Sequence, residues 1–319
     1  MKKYVIGIDL GGTKITTAIA DFEGKLVEKL TVPTEANKGE AYVMDKIIDT
    51  VSSVLKTAGL EASDIASIGI GTPGPVDSSE GKIITTPNLP FRDYSLTKPL
   101  FNKFGIPAYL ENDGNVAAIG EWMFGAGRGF KNVLYMTVST GVGGGAVLNG
   151  APYNGSSSNA MEIGHITIDP HSKHRCNCGN YGDLESLTSG FSISKRALEA
   201  IAEGKETTLS KYTDISAKEI YDEYLKGDKV SIKILDDAFE SLGIGIANLI
   251  LIFDPDVIAI GGGVTRIGDM MFEKVRESAR KRAFSFMVDK VKIVPSGLLQ
   301  DTGVIGAVAL AIVESKKHQ

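Results

Sequence analysis

Apolar residues recur along this chain with two periods. Tyr4–Asp9 is an apolar run that predicts a buried strand. Gly11-Gly12 turns it, residues 15–20 predict a second strand, and Asp21-Phe22-Glu23-Gly24 turns into a third over 25–32. From 41 to 58 the period becomes helical, with Val43, Met44, Ile47, Ile48, Val51, Val54 and Leu55 on one face. Strands follow at 66–71 and 107–110, with a short helix around 96–104 between them. Three strands followed by alternating helix and strand predict an α/β layered domain. The pattern then recurs: an apolar strand at 133–138, a glycine-rich turn, an apolar run at 146–148 and a turn at Asn149-Gly150. Helical period returns over 217–226, 230–252 and 269–284, a strand at 257–260 runs into Gly261-Gly262-Gly263, and 304–313 predicts a last helix. The recurrence is of architecture rather than a short-period repeat. A length of 319 residues fits two domains, and no low-complexity linker separates them, so they are expected to abut and move about a hinge.

Composition narrows the partners. Lys and Arg number 34 against 39 Asp and Glu, a net charge of −5, which leaves no basic excess for nucleic acid or an anionic membrane. The longest apolar stretch, near 242–253, is short of the roughly 20 residues of a membrane span. Lys2-Lys3 resembles the start of a signal peptide, but the apolar run stops at Asp9. The only cysteines, Cys176 and Cys178, are too close for a good disulfide. These features predict a soluble cytoplasmic protein in a reducing compartment.

Five segments carry candidate chemistry. In Asp9-Leu10-Gly11-Gly12-Thr13-Lys14, a strand-end carboxylate precedes glycines and a hydroxyl, a pattern that can hold Mg²⁺ through water and offer backbone N–H groups to phosphate. The alternative is a plain hairpin turn. Ser139-Thr140-Gly141-Val142-Gly143-Gly144-Gly145 nominally fits a dinucleotide fingerprint, with Glu162 about 20 residues on. That reading needs a helix at this point, whereas Ala146-Val147-Leu148 is strand-like. A glycine-rich hairpin open to phosphate is expected instead, and no Walker A pattern occurs. Gly261-Gly262-Gly263-Val264 would let a base or ribose lie on bare backbone, or is simply a strand-to-helix turn. Glu111-Asn112-Asp113 follows a strand, so its carboxylates either line a cleft or cap the next helix. Glu162-Ile163-Gly164-His165 with Cys176, Cys178, Asp183 and Glu185 offers two thiols and an imidazole to Zn²⁺, or leaves two free thiols in a turn. His171 and His174 are spare candidates in a polar loop, and His318 lies in the charged tail.

Taken in order, DLGGTK, GTPGPVD (71–77), ENDGN, STGVGGG, EIGH, CNCG…LE and GGGV closely resemble the ROK family of repressors, open reading frames and sugar kinases, over essentially the whole chain. The resemblance implies an α/β, actin/Hsp70/hexokinase-like (ribonuclease H-like) fold of two domains with a central cleft. The expected division is 1–115 with the C-terminal helix 303–319, against 116–302. It implies ATP at three places: Asp9, Gly11, Gly12, Thr13 and Lys14; Thr140, Gly141, Gly143 and Gly144; and, for adenosine, Gly261, Gly262 and Gly263. Asn112 and Asp113 would bind the sugar, with Asp113 as general base, and Glu162, His165 and Glu185 would bind further hydroxyls. Mg²⁺ would be steered by Asp9 through water. The family's structural zinc site uses one His and three Cys. His165, Cys176 and Cys178 match it, but the third Cys position is Asp183 here, which leaves the fourth ligand open.

Within the family, Thr86-Pro87-Asn88-Leu89-Pro90 with Glu111–Asn115 looks most like bacterial glucokinases. Family repressors carry a helix-turn-helix ahead of the first strand, and only three residues precede Tyr4. The expectation is phosphoryl transfer from MgATP to the 6-hydroxyl of glucose, by a homodimer or homotetramer. N-acetylmannosamine, N-acetylglucosamine, fructose or allose are the alternative sugars. A sugar-sensing regulator without catalysis and an actin-like filament are the alternative classes.

Overall fold

A computed structural model describes residues 2–86 and 88–317, so Pro87 of the glucokinase-like run and His318 lie outside the described residues. In chain order it comprises β1 (Tyr4–Leu10), β2 (Lys14–Asp21), β3 (Leu26–Pro33), α1 (Glu40–Ala58), β4 (Ile65–Thr72), β5 (Val76–Asp77), β6 (Lys82–Thr85), β7 (Arg92–Ser95), α2 (Thr97–Phe104), β8 (Ala108–Asn112) and α3 (Asp113–Phe124). There follow β9 (Val133–Val138), β10 (Val142–Leu148), β11 (Ala151–Pro152), α4 (Leu184–Thr188), α5 (Gly190–Ala202), α6 (Ala217–Tyr224), α7 (Lys229–Phe253), β12 (Val257–Gly261), α8 (Asp269–Arg280), α9 (Ser285–Val288), β13 (Lys292–Pro295) and α10 (Thr302–Lys317).

The chain forms two compact units. The first takes Met1–Gly129, Gly145–Met161 and Gly297–Gln319, and the second Phe130–Gly144 and Glu162–Ser296. The first is built on a sheet of order β3-β2-β1-β4-β8. β1 runs antiparallel to β2 and parallel to β4, which in turn is parallel to β8. β1 has a buried face on both sides, and strand alternation sorts its residues. Ile6 and Ile8 pack with Val43, Ile47, Val51 and Val54 of α1, while Val5 packs with Val308, Ala311 and Ile312 of α10. Gly7 shares the Val5 face, and a methyl group there would meet Val308 N at 2.6 Å; at Gly69 of β4 it would collide with the Ala307 carbonyl. Bare backbone at these positions is what lets α10 lie directly on the sheet.

In the second unit β12 is buried at every position and pairs in parallel with β9 on one side and β13 on the other. The 25-residue α7 packs against α8, with Leu242, Ile246, Ile250, Met271 and Val275 wholly buried. β10 starts in this unit and continues past Gly144 into the first, where Val147 pairs with Pro152 of β11.

The units divide differently from the expected 115/116 and 302/303 boundaries. α3 belongs wholly to the first unit because it packs against α10, Gly120 standing so near Gly306 that a methyl group would lie 2.9 Å from its Cα. The buried Glu121 carboxylate also accepts from the Gly297 N–H (3.0 Å), the Leu298 N–H (3.0 Å) and the Ala126 N–H (2.8 Å). No helix among the described residues is long and apolar enough to cross a membrane.

Candidate active site

In the first unit, strand parity carries Asp9 onto the same face as Val5 and Gly7, at the start of α10. A methyl group at Gly303 would lie 2.6 Å from Asp9 Cγ. Enclosure pushes the Asp9 carboxyl up from its ordinary value of 3.8 to about 6, Lys14 pulling it back and Asp113 pushing it further. The β1–β2 turn is closed by the Gly11 N–H donating to the Lys14 carbonyl (3.0 Å). It is braced from outside by Thr34, which sequence reasoning did not single out. This wholly buried residue donates its hydroxyl to the Gly11 carbonyl (2.6 Å) and its N–H to the Thr13 carbonyl (2.9 Å). At Gly12 a methyl group would meet the Asn88 carbonyl oxygen at 2.8 Å.

At the end of β8 the three polar neighbours have separate tasks. Asn112 is the N-cap of α3, its Oδ1 accepting from the Gly114 N–H at 2.8 Å. Glu111 is buried and structural, accepting from the Asn112 N–H (2.8 Å), Asn115 Nδ2 (3.1 Å), Ser78 Oγ (3.1 Å) and Asn154 Nδ2. Burial holds its carboxyl above the ordinary range despite these donors. Asp113 starts the helix with its side chain exposed at the surface of its unit. The surrounding protein still desolvates it enough to raise its carboxyl above the ordinary range, against the opposing pull of the Gly114 N–H at 2.8 Å. Asp9 thus stands at the end of one strand and feels the charge of Asp113, which follows another.

In the second unit, Ser139–Gly144 leads straight into β10, so the strand expected in place of a dinucleotide-binding helix is present. The turn closes with the Ser139 N–H on the Gly141 carbonyl (2.8 Å). Nearby, Gly262 takes a φ of 95° and is pressed against the backbone of Val138, where a side chain has no room. A cavity of about 810 Å³ opens beside these turns, lined by Thr140, Phe191, Lys218, Tyr221, Gly263 and Arg266 among others. Gly263 begins a short 3₁₀ helix and faces this cavity.

Glu162 precedes a short 3₁₀ helix, Ile163–His165, that ends on His165, with His165 Nε2 3.9 Å from Glu162 Oε2. The other ring nitrogen faces a cluster. His165, Cys176, Cys178 and Asp183 each offer one ligand atom, all within 4.8 Å of one another. Cys176 Sγ lies 3.7 Å and Asp183 Oδ2 3.4 Å from His165 Nδ1, and Cys178 Sγ lies 3.4 Å from Asp183 Oδ2. Tetrahedral zinc with bonds of 2.0–2.3 Å separates its ligand atoms by about 3.3–3.8 Å, so this donor set fits the ion, with Asp183 in the fourth place. Burial and the neighbouring Asp183 push the Cys176 thiol well above its ordinary range, which a bound cation would reverse. Burial also raises the Asp183 carboxyl, but hydrogen bonds from Cys176 and Ser186 outweigh it and hold the group below the ordinary range. His171 and His174 lie outside this cluster.

The family model described as the ROK family matches residues 5–314. The chain belongs to the ROK family. A glucokinase of Halalkalibacterium halodurans is 35% identical to this ROK protein over 308 residues, 95% of this chain and 93% of the relative. Other matching relatives are named xylose repressors. The crystal structure of a ROK hexokinase from Thermus thermophilus is 32% identical with a TM-score of 0.85, covering 98% of this chain and 99% of that one. A ROK glucokinase from Streptomyces griseus, solved with glucose and AMPPNP, is 31% identical with a TM-score of 0.76, covering 97% and 99%. The fold of this ROK protein is the mixed α/β, actin/hexokinase-like two-domain fold of those hexokinases.

Proposed function

We propose that this ROK protein is an ATP-dependent hexose kinase that phosphorylates the 6-hydroxyl of glucose. The observation that carries the reading is the Asp9–Asp113 pair: two strand-end carboxylates, both raised, one beside a glycine turn and the other exposed at a helix start. The glucose and AMPPNP bound to the Streptomyces griseus relative support both substrates. In this reading the glycine turns at Gly11–Thr13 and Thr140–Gly144 hold the phosphates, and the cavity at Gly263 takes the adenosine, with Phe191 and Tyr221 as flat apolar walls. Phosphoryl transfer asks the protein mainly for positioning and charge neutralisation. Mg²⁺, which enters with ATP, would offset the phosphate charge, and Asp9 would steer it. Asp113 accepts the proton of the attacking hydroxyl, help typically worth about 10²–10⁴-fold. Its raised pKa suits that task, since a carboxylate nearer in pKa to the working pH is a better base. Asn112, Glu162, His165 and Glu185 hydrogen-bond the sugar. The zinc-fitting cluster is structural and orients His165 through one nitrogen, leaving the other for a hydroxyl.

The test is a sugar panel with purified protein, MgATP and ADP detection. Glucose is expected to give the highest kcat/KM. Higher efficiency on N-acetylglucosamine, N-acetylmannosamine, fructose or allose would move the protein to another branch. No ADP with any hexose would remove the kinase reading.

A further inference from the structure

Glu185 has more to do than face a sugar hydroxyl. Its Oε2 accepts the Val142 N–H at 2.9 Å, in the turn that leads into β10. The same oxygen lies so close to Gly141 that a methyl group there would be 2.5 Å away. Its other oxygen, Oε1, accepts from Cys176 Sγ at 3.4 Å. Five residues on, the Gly190 N–H donates to the Ser139 carbonyl at 2.7 Å, and a methyl group at Gly190 would lie 3.0 Å from that oxygen. The stretch from Glu185 to Gly190 therefore grips both ends of the Ser139–Val142 turn. That stretch is itself held firmly. Asp183 caps α4 by accepting the Ser186 N–H at 2.8 Å, Ser189 caps α5, and the Glu185 carbonyl accepts from the Ser189 N–H and Ser192 Oγ at 3.0 Å each.

We propose that Glu185 is a positioning residue for the nucleotide, fixing the Ser139–Val142 turn so that its backbone is preset for phosphate. This rests on the kinase reading of that turn. The physical reason is the state of the Val142 N–H. Val142 is almost wholly buried, and without Glu185 its donor loses the acceptor that fixes the turn's shape. The turn must then be ordered at the expense of nucleotide affinity, which is the cost that preorganisation removes.

The experiment measures MgAMPPNP binding by calorimetry, without sugar, for the wild-type chain, Glu185→Ala and Glu185→Gln. Gln keeps a carbonyl oxygen for the Val142 N–H, so it is expected to bind within about threefold of wild type. Ala is expected to weaken binding by about tenfold or more, the usual effect of stranding a buried donor. Hydrogen exchange at the Val142 amide gives a second reading that needs no ligand: faster in Glu185→Ala than in wild type, and restored in Glu185→Gln. Wild-type-like nucleotide affinity in Glu185→Ala, or unchanged exchange at Val142, would overturn the proposal and leave the kinase reading standing. A residue that touched only the sugar would give that result, together with weakened glucose binding. Absence of MgAMPPNP binding by the wild-type chain itself would overturn both.

Discussion

A carboxylate enclosed by protein and within reach of another negative charge is kept in place for a reason other than stability. The folded pKa of Asp9, about 6, exceeds its ordinary 3.8, so between these values the folded state holds the proton more tightly than the unfolded one. The contribution of Asp9 to stability is thus fully present below pH 3.8 and is lost as pH rises through about 6. Asp9→Asn is expected to raise Tm above wild type at pH 7.5 without nucleotide and to narrow that gap at pH 4. Thermal melts across this range check it, and an unchanged gap would show that Asp9 is not strained by its charge. The second residue-scale expectation concerns turnover. Asp113→Asn keeps shape and loses the base, so kcat should fall by about 10² or more while glucose affinity changes little. A variant turning over near the wild-type rate would remove Asp113 from the base role. The strand-end signal marked Asp9 but left Glu111 and Asp113 undivided, and it was the resemblance to the ROK family that singled out Asp113. Thr34 was not legible. Its hydroxyl braces a turn more than 20 residues earlier in the chain, and nothing local announces that contact.

At the scale of elements, the first unit turns on how closely α10 approaches β1 and β4. Gly69→Ala would drive a methyl group into the Ala307 carbonyl, which is backbone and cannot rotate away. The expected cost is about 1–3 kcal/mol, read as a fall in Tm or in the denaturant midpoint. Wild-type stability would mean that α10 shifts freely. The sequence predicted β1, β2, β3, α1, β9, α7 and α10 because each is long and strongly periodic. It did not anticipate α5, nor the small sheet of β5, β6 and β7, nor α4, α9 and β13. Apart from the 13-residue α5, those elements are two to five residues long, too short for a period to show, and are fixed by tertiary contacts such as the β6–β7 pairing of Ile83 with Tyr94. The cluster that could hold a metal was legible in part. His165, Cys176 and Cys178 stood out by type, whereas Asp183 was marked only by its place at the family's third Cys position and joins them when the loop closes, with the Cys176 N–H on the Asn180 carbonyl and the Leu184 N–H on the Ile166 carbonyl.

At the scale of the whole molecule, metal content is the property to measure. Elemental analysis of protein purified without chelator is expected to give close to one zinc per chain. Oxygen from Asp183 replaces a thiolate, so a chelator should remove the ion more readily than from a Cys₃His site and lower Tm as it does so. Asp183→Cys should slow that removal. Protein that is free of zinc yet melts and phosphorylates glucose as before would remove the ion from the account, while Asp9, Asp113 and the glycine turns would still carry the kinase reading. One feature of the chain's path reaches beyond the finished molecule. The first unit opens with β1, yet α10, which covers one face of its sheet, comes after the whole of the second unit in the chain. During synthesis that face, with Val5, Gly7 and Ala20 on it, stays uncovered until Thr302–Lys317 leaves the ribosome. The unit made first is completed last. A nascent chain halted before α10 therefore presents an apolar sheet face to whatever chaperones are at hand, and the second unit has every opportunity to fold before the first is sealed.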